Sequence, residues 1–227
     1  HTTWLSNQAL SGKFETPVSV LASKADQKVF SNTMSGSEPY DEILLQAFKD
    51  ATIKKGNKVI FVHLMGTHMS YVDRYPEKFN HFKTIHNTSH LTRAQQKYIN
   101  TYDNAVRYND HLIASLIDSL NAVQGVCSLL YFSDHGDEVF DYRNFHGHSD
   151  VIQSKYMVDI PFLLWTNEQY KLKNAGILKR AENNINSKYN TANFIHTASD
   201  LYDVHCDLTD TTRSLLSQSP IDTSARK

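Results

Sequence analysis

Acidic and imidazole side chains follow two strongly apolar segments of this 227-residue sequence. Residues 129–132 (LLYF) lead into Asp134 and His135, and residues 58–64 (KVIFVHL) are followed by His68. Such groups are costly to bury at a strand end unless something compensates their charge and lone pairs. Carboxylate oxygen and imidazole nitrogen are the ligands that zinc takes in hydrolytic sites. The pattern therefore predicts a divalent-cation site with Asp134, His135 and His68 as ligands.

A third histidine-bearing segment, residues 145–150 (FHGHSD), offers His146 and His148 within reach of the same region. An isolated Asp-His pair could simply cap a loop, and His63, inside an apolar run, is better explained as a satisfied core residue. Three such segments at the ends of successive elements favour the metal site over these alternatives.

The elements that must position these groups alternate between strand and helix. Apolar residues recur at helical spacing in residues 40–55, and residues 92–123 predict a long helix that Gly125 closes. The other predicted elements are a short strand ending at Asn7, a helix at 18–27, strands at 58–64, 127–132 and 160–165, and helices at 167–189 and 191–203. This order predicts an α/β fold with a mostly parallel sheet and helices on both faces.

Such sheets bind ligands beyond the carboxyl ends of their strands. If strands 58–64 and 127–132 are parallel and adjacent, then His68, Asp134 and His135 converge at one edge of the sheet.

Composition excludes several classes of protein. A formal charge of −1 with scattered lysine and arginine gives no basic face for nucleic acid. No apolar run reaches the roughly 18 residues of a membrane helix, and no signal peptide is recognisable. Cys127 and Cys206 allow one disulfide at most, and we expect free thiols.

Several motifs together resemble the periplasmic catalytic domain of the phosphoethanolamine transferases, which belong to the alkaline phosphatase and sulfatase superfamily. The motifs are WLSNQ (4–8), YDEILLQ (40–46), HLMGTH (63–68), YDNAVRYNDHL (102–112), SDHGDE (133–138) and IPFLLW (160–165). The resemblance extends to about residue 205. It implies an incomplete sulfatase-like catalytic domain at 1–205 and a polar, loosely held tail at 206–227.

The resemblance implies zinc-dependent transfer of phosphoethanolamine through a phosphothreonine intermediate, with one or two zinc ions. Asp134 and His135 would bind the principal zinc, and His68 would bind a second zinc or the substrate phosphate. The later functional histidine of the family matches either His146, by its position before glycine, or His148, by its position after glycine. Lys13 is aligned with a substrate-binding lysine, with a solvated loop lysine as the alternative.

The resemblance also implies partners and a location. The donor would be phosphatidylethanolamine and the acceptor a lipopolysaccharide component, either lipid A or a core sugar, at the periplasmic face of the bacterial inner membrane. We expect a monomer, held to the membrane by an upstream segment. The family's nucleophilic threonine and a metal-binding glutamate precede the WLSNQ segment, so we expect both upstream and the chain alone to be inactive.

Three alternatives share these features. A phosphoglycerol transferase or a sulfatase-type hydrolase would carry the same metal-bearing strand ends, although the sulfatase Cys-x-Pro-x-Arg motif does not occur in the sequence. A non-catalytic remnant could keep the metal site alone. The sequence lacks the cysteine pairs of several transferases, which favours the core-sugar or uncharacterised branches and leaves the acceptor open.

Overall fold

A computed structural model describes residues 1–10, 16–32, 40–86 and 90–218 of the chain. Its strands are β1 (Thr2–Ser6), β2 (Gln27–Phe30), β3 (Val59–His63), β4 (Ser128–Phe132), β5 (Glu138–Val139), β6 (His146–Gly147) and β7 (Phe162–Thr166). Its α-helices are α1 (Thr16–Ala22), α2 (Leu44–Thr52), α3 (Arg93–Asn121), α4 (Lys155–Val158), α5 (Glu168–Lys173), α6 (Ala175–Asn183) and α7 (Phe194–Tyr202). The fold class is the predicted one, mixed α/β with a parallel sheet.

The chain divides into two compact units. The first contains His1–Gln124 and His135–Phe162, and the second contains Gly125–Asp134 and the residues from Leu163 onward. None of the helices in the described residues is long and apolar enough to cross a membrane. Neither Cys127 nor Cys206 is part of a disulfide, as expected.

The first unit contains a parallel sheet in the order β2-β1-β3. Leu5 of β1 pairs with Val29 on one side and Val62 on the other, and it is fully buried. Strand β3 is thus hydrogen-bonded to β1. Strand β4 is hydrogen-bonded to β7.

Strand β2 was not predicted, and the predicted helix at 18–27 ends earlier, at Ala22. The strand is short, with its first two residues exposed, so it lacks an apolar pattern. Its entry is held by Asp26, which accepts hydrogen bonds from the backbone N–H (2.7 Å) and the hydroxyl (3.1 Å) of Thr2. The position of β2 is therefore fixed by a side-chain contact with its neighbour β1, which a search for apolar periodicity does not detect.

Helix α3 organises the core of the first unit, and its predicted extent is confirmed. Thr92 caps it through a reciprocal pair of hydrogen bonds with Gln95, which satisfies amide groups that the first helical turn leaves open. Its buried face packs against the 3₁₀ turn Tyr71–Asp73 and against β5. The core residues of this cluster are Tyr71, Tyr75, Ala105, Tyr108, Leu112 and Val139.

The second unit contains β4, β7 and helices α5 to α7. The predicted helix at 167–189 is interrupted at Asn174, which leaves helical geometry and separates α5 from α6. Tyr170, Leu201 and Leu216 form its buried cluster. Leu216 is only 2% exposed, so the segment expected to be a loosely held tail packs into this unit at least as far as that residue.

Candidate metal centre

His135, Asp137 and His148 come together in the first unit. Their candidate ligand atoms all lie within 4.8 Å of one another. Nδ1 of His148 donates to Oδ1 of Asp137 at 3.0 Å, and Nδ1 of His135 lies 3.7 Å from the same oxygen. The two imidazole rings are 3.6 Å apart between centroids. Of the predicted residues, the structure therefore brings His135 and His148 together and adds Asp137 to them.

The register of a short hairpin produces this grouping. Strands β5 and β6 are antiparallel, with Glu138 opposite Gly147 and Val139 opposite His146. The next position beyond the first of these pairs brings Asp137 beside His148, at the spacing where cross-strand side chains interact. The hairpin thereby brings His148, which follows its turn, next to His135 and Asp137, which precede it.

Glu138 stabilises the turn of the hairpin from inside. It is fully buried, and its Oε1 accepts the backbone N–H groups of Arg143 (2.8 Å) and Tyr142 (3.3 Å). Burial alone would raise the pKa of Glu138, but a hydrogen bond with the Ser154 side chain, these backbone hydrogen bonds and the nearby Arg143 guanidinium lower the pKa overall. The carboxylate therefore stays ionised and keeps the turn closed next to the candidate centre.

Gly136 separates His135 from Asp137 at a point of close backbone approach. A Cβ atom at this position would lie 2.2 Å from the carbonyl oxygen of Tyr156, and the N–H of Gly136 donates to the oxygen of Met157 at 2.9 Å. Only glycine fits here without displacing backbone. The glycine of the Asp-His-Gly-Asp sequence thus fixes His135 and Asp137 against the segment around α4.

His68 lies on the loop after β3, where it is exposed and its Nδ1 is 2.6 Å from the carbonyl oxygen of Met69. It is not part of the three-residue group found within the described residues. The loop does approach that region, because a Cβ at Gly147 would lie 3.1 Å from Cε of Met69. The His68 loop therefore borders the hairpin that carries His148.

A buried carboxylate shapes the start of this loop. Asp41 is 4% exposed and accepts the N–H of Met65 (2.9 Å) on Oδ1 and the N–H of Gly66 (2.8 Å) on Oδ2. Its Oδ1 also accepts the side-chain amide of Asn7 at 2.8 Å. Asp41 and Asn7 belong to the YDEILLQ and WLSNQ motifs, so both motifs support the conformation of the HLMGTH segment.

His146 occupies different surroundings from His148. Its ring lies 4.4 Å from the ring of Tyr98 and 5.5 Å from that of Phe140, centroid to centroid. These contacts are aromatic packing at an exposed position, against Tyr98 of α3 and against Phe140, which follows β5. The two histidines that the sequence could not distinguish therefore have separate surroundings: His148 beside a carboxylate, and His146 beside two aromatic rings.

The other predicted site residues are placed as follows. Asp134 immediately precedes His135 and is exposed, and Lys13 lies outside the described residues. Asp137 was not singled out from the sequence. The available signal was its position two residues after His135, but its proximity to His148 depends on the hairpin register.

The donor set fits a cation such as zinc. Imidazole nitrogen is a common ligand of catalytic zinc sites, and Oδ1 of Asp137 places a carboxylate 3.7 Å from Nδ1 of His135 and 3.0 Å from Nδ1 of His148. Tyr71, at the opposite side of this carboxylate, donates its hydroxyl to Oδ2 at 2.6 Å. The residues present are therefore chemically suited to a divalent ion.

Comparison with known proteins gives one consistent family. A sequence model described as Sulfatase matches residues 1–204. Phosphoethanolamine transferase EptC of Escherichia coli strain K12 is 36% identical over 225 residues, 95% of this chain and 38% of the relative. The Kdo(2)-lipid A phosphoethanolamine 7''-transferase of the same strain is 29% identical over 149 residues, 63% of this chain and 26% of the relative.

A solved structure shares the fold closely. The crystal structure of the C-terminal periplasmic domain of EptC from Escherichia coli, in complex with Zn, matches with a TM-score of 0.86 at 35% identity. The match covers 96% of this chain and 62% of that one. The chain therefore spans part of that domain and 38% of the full EptC sequence.

Proposed function

Because the chain belongs to the sulfatase family, we propose that it is part of the catalytic domain of a phosphoethanolamine transferase. The observation that carries this proposal is the grouping of His135, Asp137 and His148 within 4.8 Å. It occurs in a chain that is 36% identical over 95% of its length to a protein named as such a transferase. We assign phosphate binding to this grouping, because the relatives of the chain are named for the transfer of a phosphate-containing group.

The proposed reaction has two displacements. A threonine hydroxyl, expected upstream of the WLSNQ segment, attacks the phosphorus of phosphatidylethanolamine and loses its proton. Diacylglycerol leaves and takes up a proton, and phosphoethanolamine remains on the threonine. A hydroxyl or phosphate oxygen of lipid A or of a core sugar then attacks the same phosphorus. The second displacement regenerates the threonine hydroxyl.

The residues of this chain have distinct proposed roles. Asp134, His135 and His148 hold zinc, one or two ions in the complete protein, and the bound ion would lower the pKa of the attacking hydroxyl and neutralise phosphate charge. His68 contacts a second ion or the non-bridging phosphate oxygens. An imidazole ring has one nitrogen that can accept a proton and one that can donate it, so His68 is also suited to move a proton. Lys13 remains a proposed substrate-binding residue.

The complete protein is proposed to act as a monomer at the periplasmic face of the bacterial inner membrane, with a lipopolysaccharide acceptor. Two observations on relatives support the periplasmic location and the acceptor: a solved domain of one is described as periplasmic, and a second relative is named as a transferase to Kdo(2)-lipid A. The zinc assignment is supported in the same way, since that solved domain is a complex with Zn.

The test is a transfer assay with the full-length protein in vesicles that contain lipopolysaccharide and phosphatidylethanolamine labelled in its headgroup. We expect label in the lipopolysaccharide fraction, and loss of it in Asp134→Ala and in His135→Ala. Asp50→Ala, an exposed carboxylate on α2, is the matched control and should transfer normally. Unchanged transfer in both site variants, or transfer from labelled phosphatidylglycerol in place of phosphatidylethanolamine, would contradict the proposal.

A further inference from the structure

Asp137 is the least exposed residue of the three in the candidate metal centre. Its side chain is 9% exposed, against 37% for His135 and 43% for His148. A residue that binds an incoming ion directly would be expected at the accessible surface of the group. The two more exposed rings are therefore the groups that an incoming ion can reach, and the less exposed carboxylate is suited to hold the rings in place.

Both oxygens of Asp137 are already engaged by protein donors. Oδ2 accepts the hydroxyl of Tyr71 at 2.6 Å, and Oδ1 accepts Nδ1 of His148 at 3.0 Å. A carboxylate accepts on both sides, so the two contacts are compatible only if each partner donates a proton. Nδ1 of a neutral His148 must then carry its hydrogen, and the lone pair is on Nε2.

Packing holds Tyr71 in place at one end of the hydrogen-bonded series Tyr71–Asp137–His148. It is fully buried, and its ring packs against Tyr98 at 5.2 Å and Tyr102 at 5.0 Å, both on α3. Burial, followed by the hydrogen bond to Asp137, raises the pKa of Tyr71 well above its ordinary value. The phenol therefore remains a donor across the physiological pH range.

We propose that Tyr71 and Asp137 are a positioning pair that fixes the orientation and tautomer of His148, so that Nε2 is presented to a divalent cation. The proposal rests on the zinc-binding part of the proposed function. It assigns no direct contact with the ion to either member of the pair. Histidines that bind metals commonly donate their second ring N–H to a carboxylate, and losing that partner typically lowers metal affinity about 10- to 100-fold.

The first test needs no metal. Nitrogen NMR of the metal-free 227-residue chain at about pH 9, above the ordinary histidine pKa, reports which ring nitrogen of His148 carries hydrogen, and the spectrum of His148→Gln assigns the signal. We expect the Nδ1–H tautomer in the parent chain. In Asp137→Asn we expect a shift toward Nε2–H, because the amide group can donate to Nδ1. A parent chain with the Nε2–H tautomer would overturn the proposal.

The second test is the affinity for zinc, measured by competition with a fluorescent chelator. Tyr71→Phe keeps the buried ring and removes only the donor, and we expect about 10- to 100-fold weaker binding. Tyr108→Phe is the matched control, since it removes a buried hydroxyl of the same core cluster that contacts the N–H of Glu42 instead. Equal affinities in the two variants would overturn the proposal.

The two tests separate this inference from the proposed function. If the parent chain has the Nδ1–H tautomer and loses it in Asp137→Asn, but the full-length protein binds no zinc, the positioning pair is supported and the zinc assignment is contradicted. If zinc binds through His148 with equal affinity in the parent and in Tyr71→Phe, the zinc assignment is supported and the positioning pair is contradicted.

Discussion

The imidazole rings of His135 and His148 face each other at 3.6 Å between centroids, with 39° between their planes. One ring follows β4 directly, and the other returns through the β5–β6 hairpin. Their arrangement therefore depends on the backbone around Gly136 and on the turn that Glu138 closes. Changes to that backbone should affect the site even when no ligand atom is removed.

Gly136→Ala is the most local test of this dependence. The added methyl group would meet the carbonyl oxygen of Tyr156 at 2.2 Å, so the backbone must move. We expect this movement to lower the free energy of unfolding by about 1–3 kcal/mol. Gly176→Ala is the matched control, because the added methyl group meets only the end of Arg180, at 3.9 Å, within α6. There alanine should stabilise by up to about 1 kcal/mol. Urea unfolding of both variants measures the difference, and equal stabilities would contradict the packing described at Gly136.

His146→Ala should cost stability without weakening zinc binding. The ring packs against Tyr98 and Phe140, and aromatic pairs of this kind contribute about 0.5–1.5 kcal/mol beyond their buried area. Urea unfolding gives the stability, and chelator competition gives the affinity. A large loss of zinc affinity in this variant would assign His146, rather than His148, to the metal.

Asp41→Asn should destabilise the chain by about 3 kcal/mol. The amide cannot accept on both sides, so one part-buried N–H of the His68 loop loses a charge-assisted hydrogen bond and faces a donor. Asp50→Asn, an exposed carboxylate that contacts Gln46 on the same helix, should change stability by no more than about 0.5 kcal/mol. Thermal unfolding of the two variants measures the contrast, and equal melting temperatures would argue against Asp41 as the support of the loop.

Alkaline pH should weaken the folded state through buried tyrosines of the second unit. Burial, with a contribution from nearby Tyr202, raises the pKa of Tyr170 to about 12, and burial raises the pKa of Tyr189 to about 12. In the unfolded chain a tyrosine titrates near 10. The stabilisation is complete below about pH 10 and is lost between about pH 10 and 12, because only the unfolded state releases its protons there.

The measurement is the free energy of unfolding at several pH values above neutrality. Tyr189→Phe has no phenol to ionise, so its stability should fall less steeply between about pH 10 and 12. Tyr142→Phe, which removes a phenol that is 74% exposed, is the control. A decline in Tyr189→Phe as steep as in the parent chain would refute the assignment to Tyr189.

Much of the fold was predictable because its longer elements have clear periodicity. The buried stripe of α3 and the apolar runs of β3, β4 and β7 were recognised close to their observed bounds. Strand β2 and the interruption at Asn174 were not, since a four-residue strand with two exposed positions and a single asparagine leave no periodic signal. The partner of β3 also depends on tertiary pairing, which the sequence does not encode locally.

The site was predictable only in its residue types. His135 could be identified from its position after an apolar strand, whereas the choice between His146 and His148 depends on which side of Gly147 faces Asp137. That choice follows from the pairing of Glu138 with Gly147. Strands of two residues have no alternation to analyse, so neither the hairpin nor the role of Asp137 could be inferred from pattern.

The central claim is that His148, together with His135, holds zinc in the complete protein. Its most direct test is the zinc affinity of the full-length protein, compared in His148→Gln and His146→Gln by chelator competition. The account predicts at least about 100-fold weaker binding in His148→Gln, because losing a ligand costs more than losing its supporting partner, and parent-like affinity in His146→Gln. Parent-like affinity in His148→Gln would contradict the account.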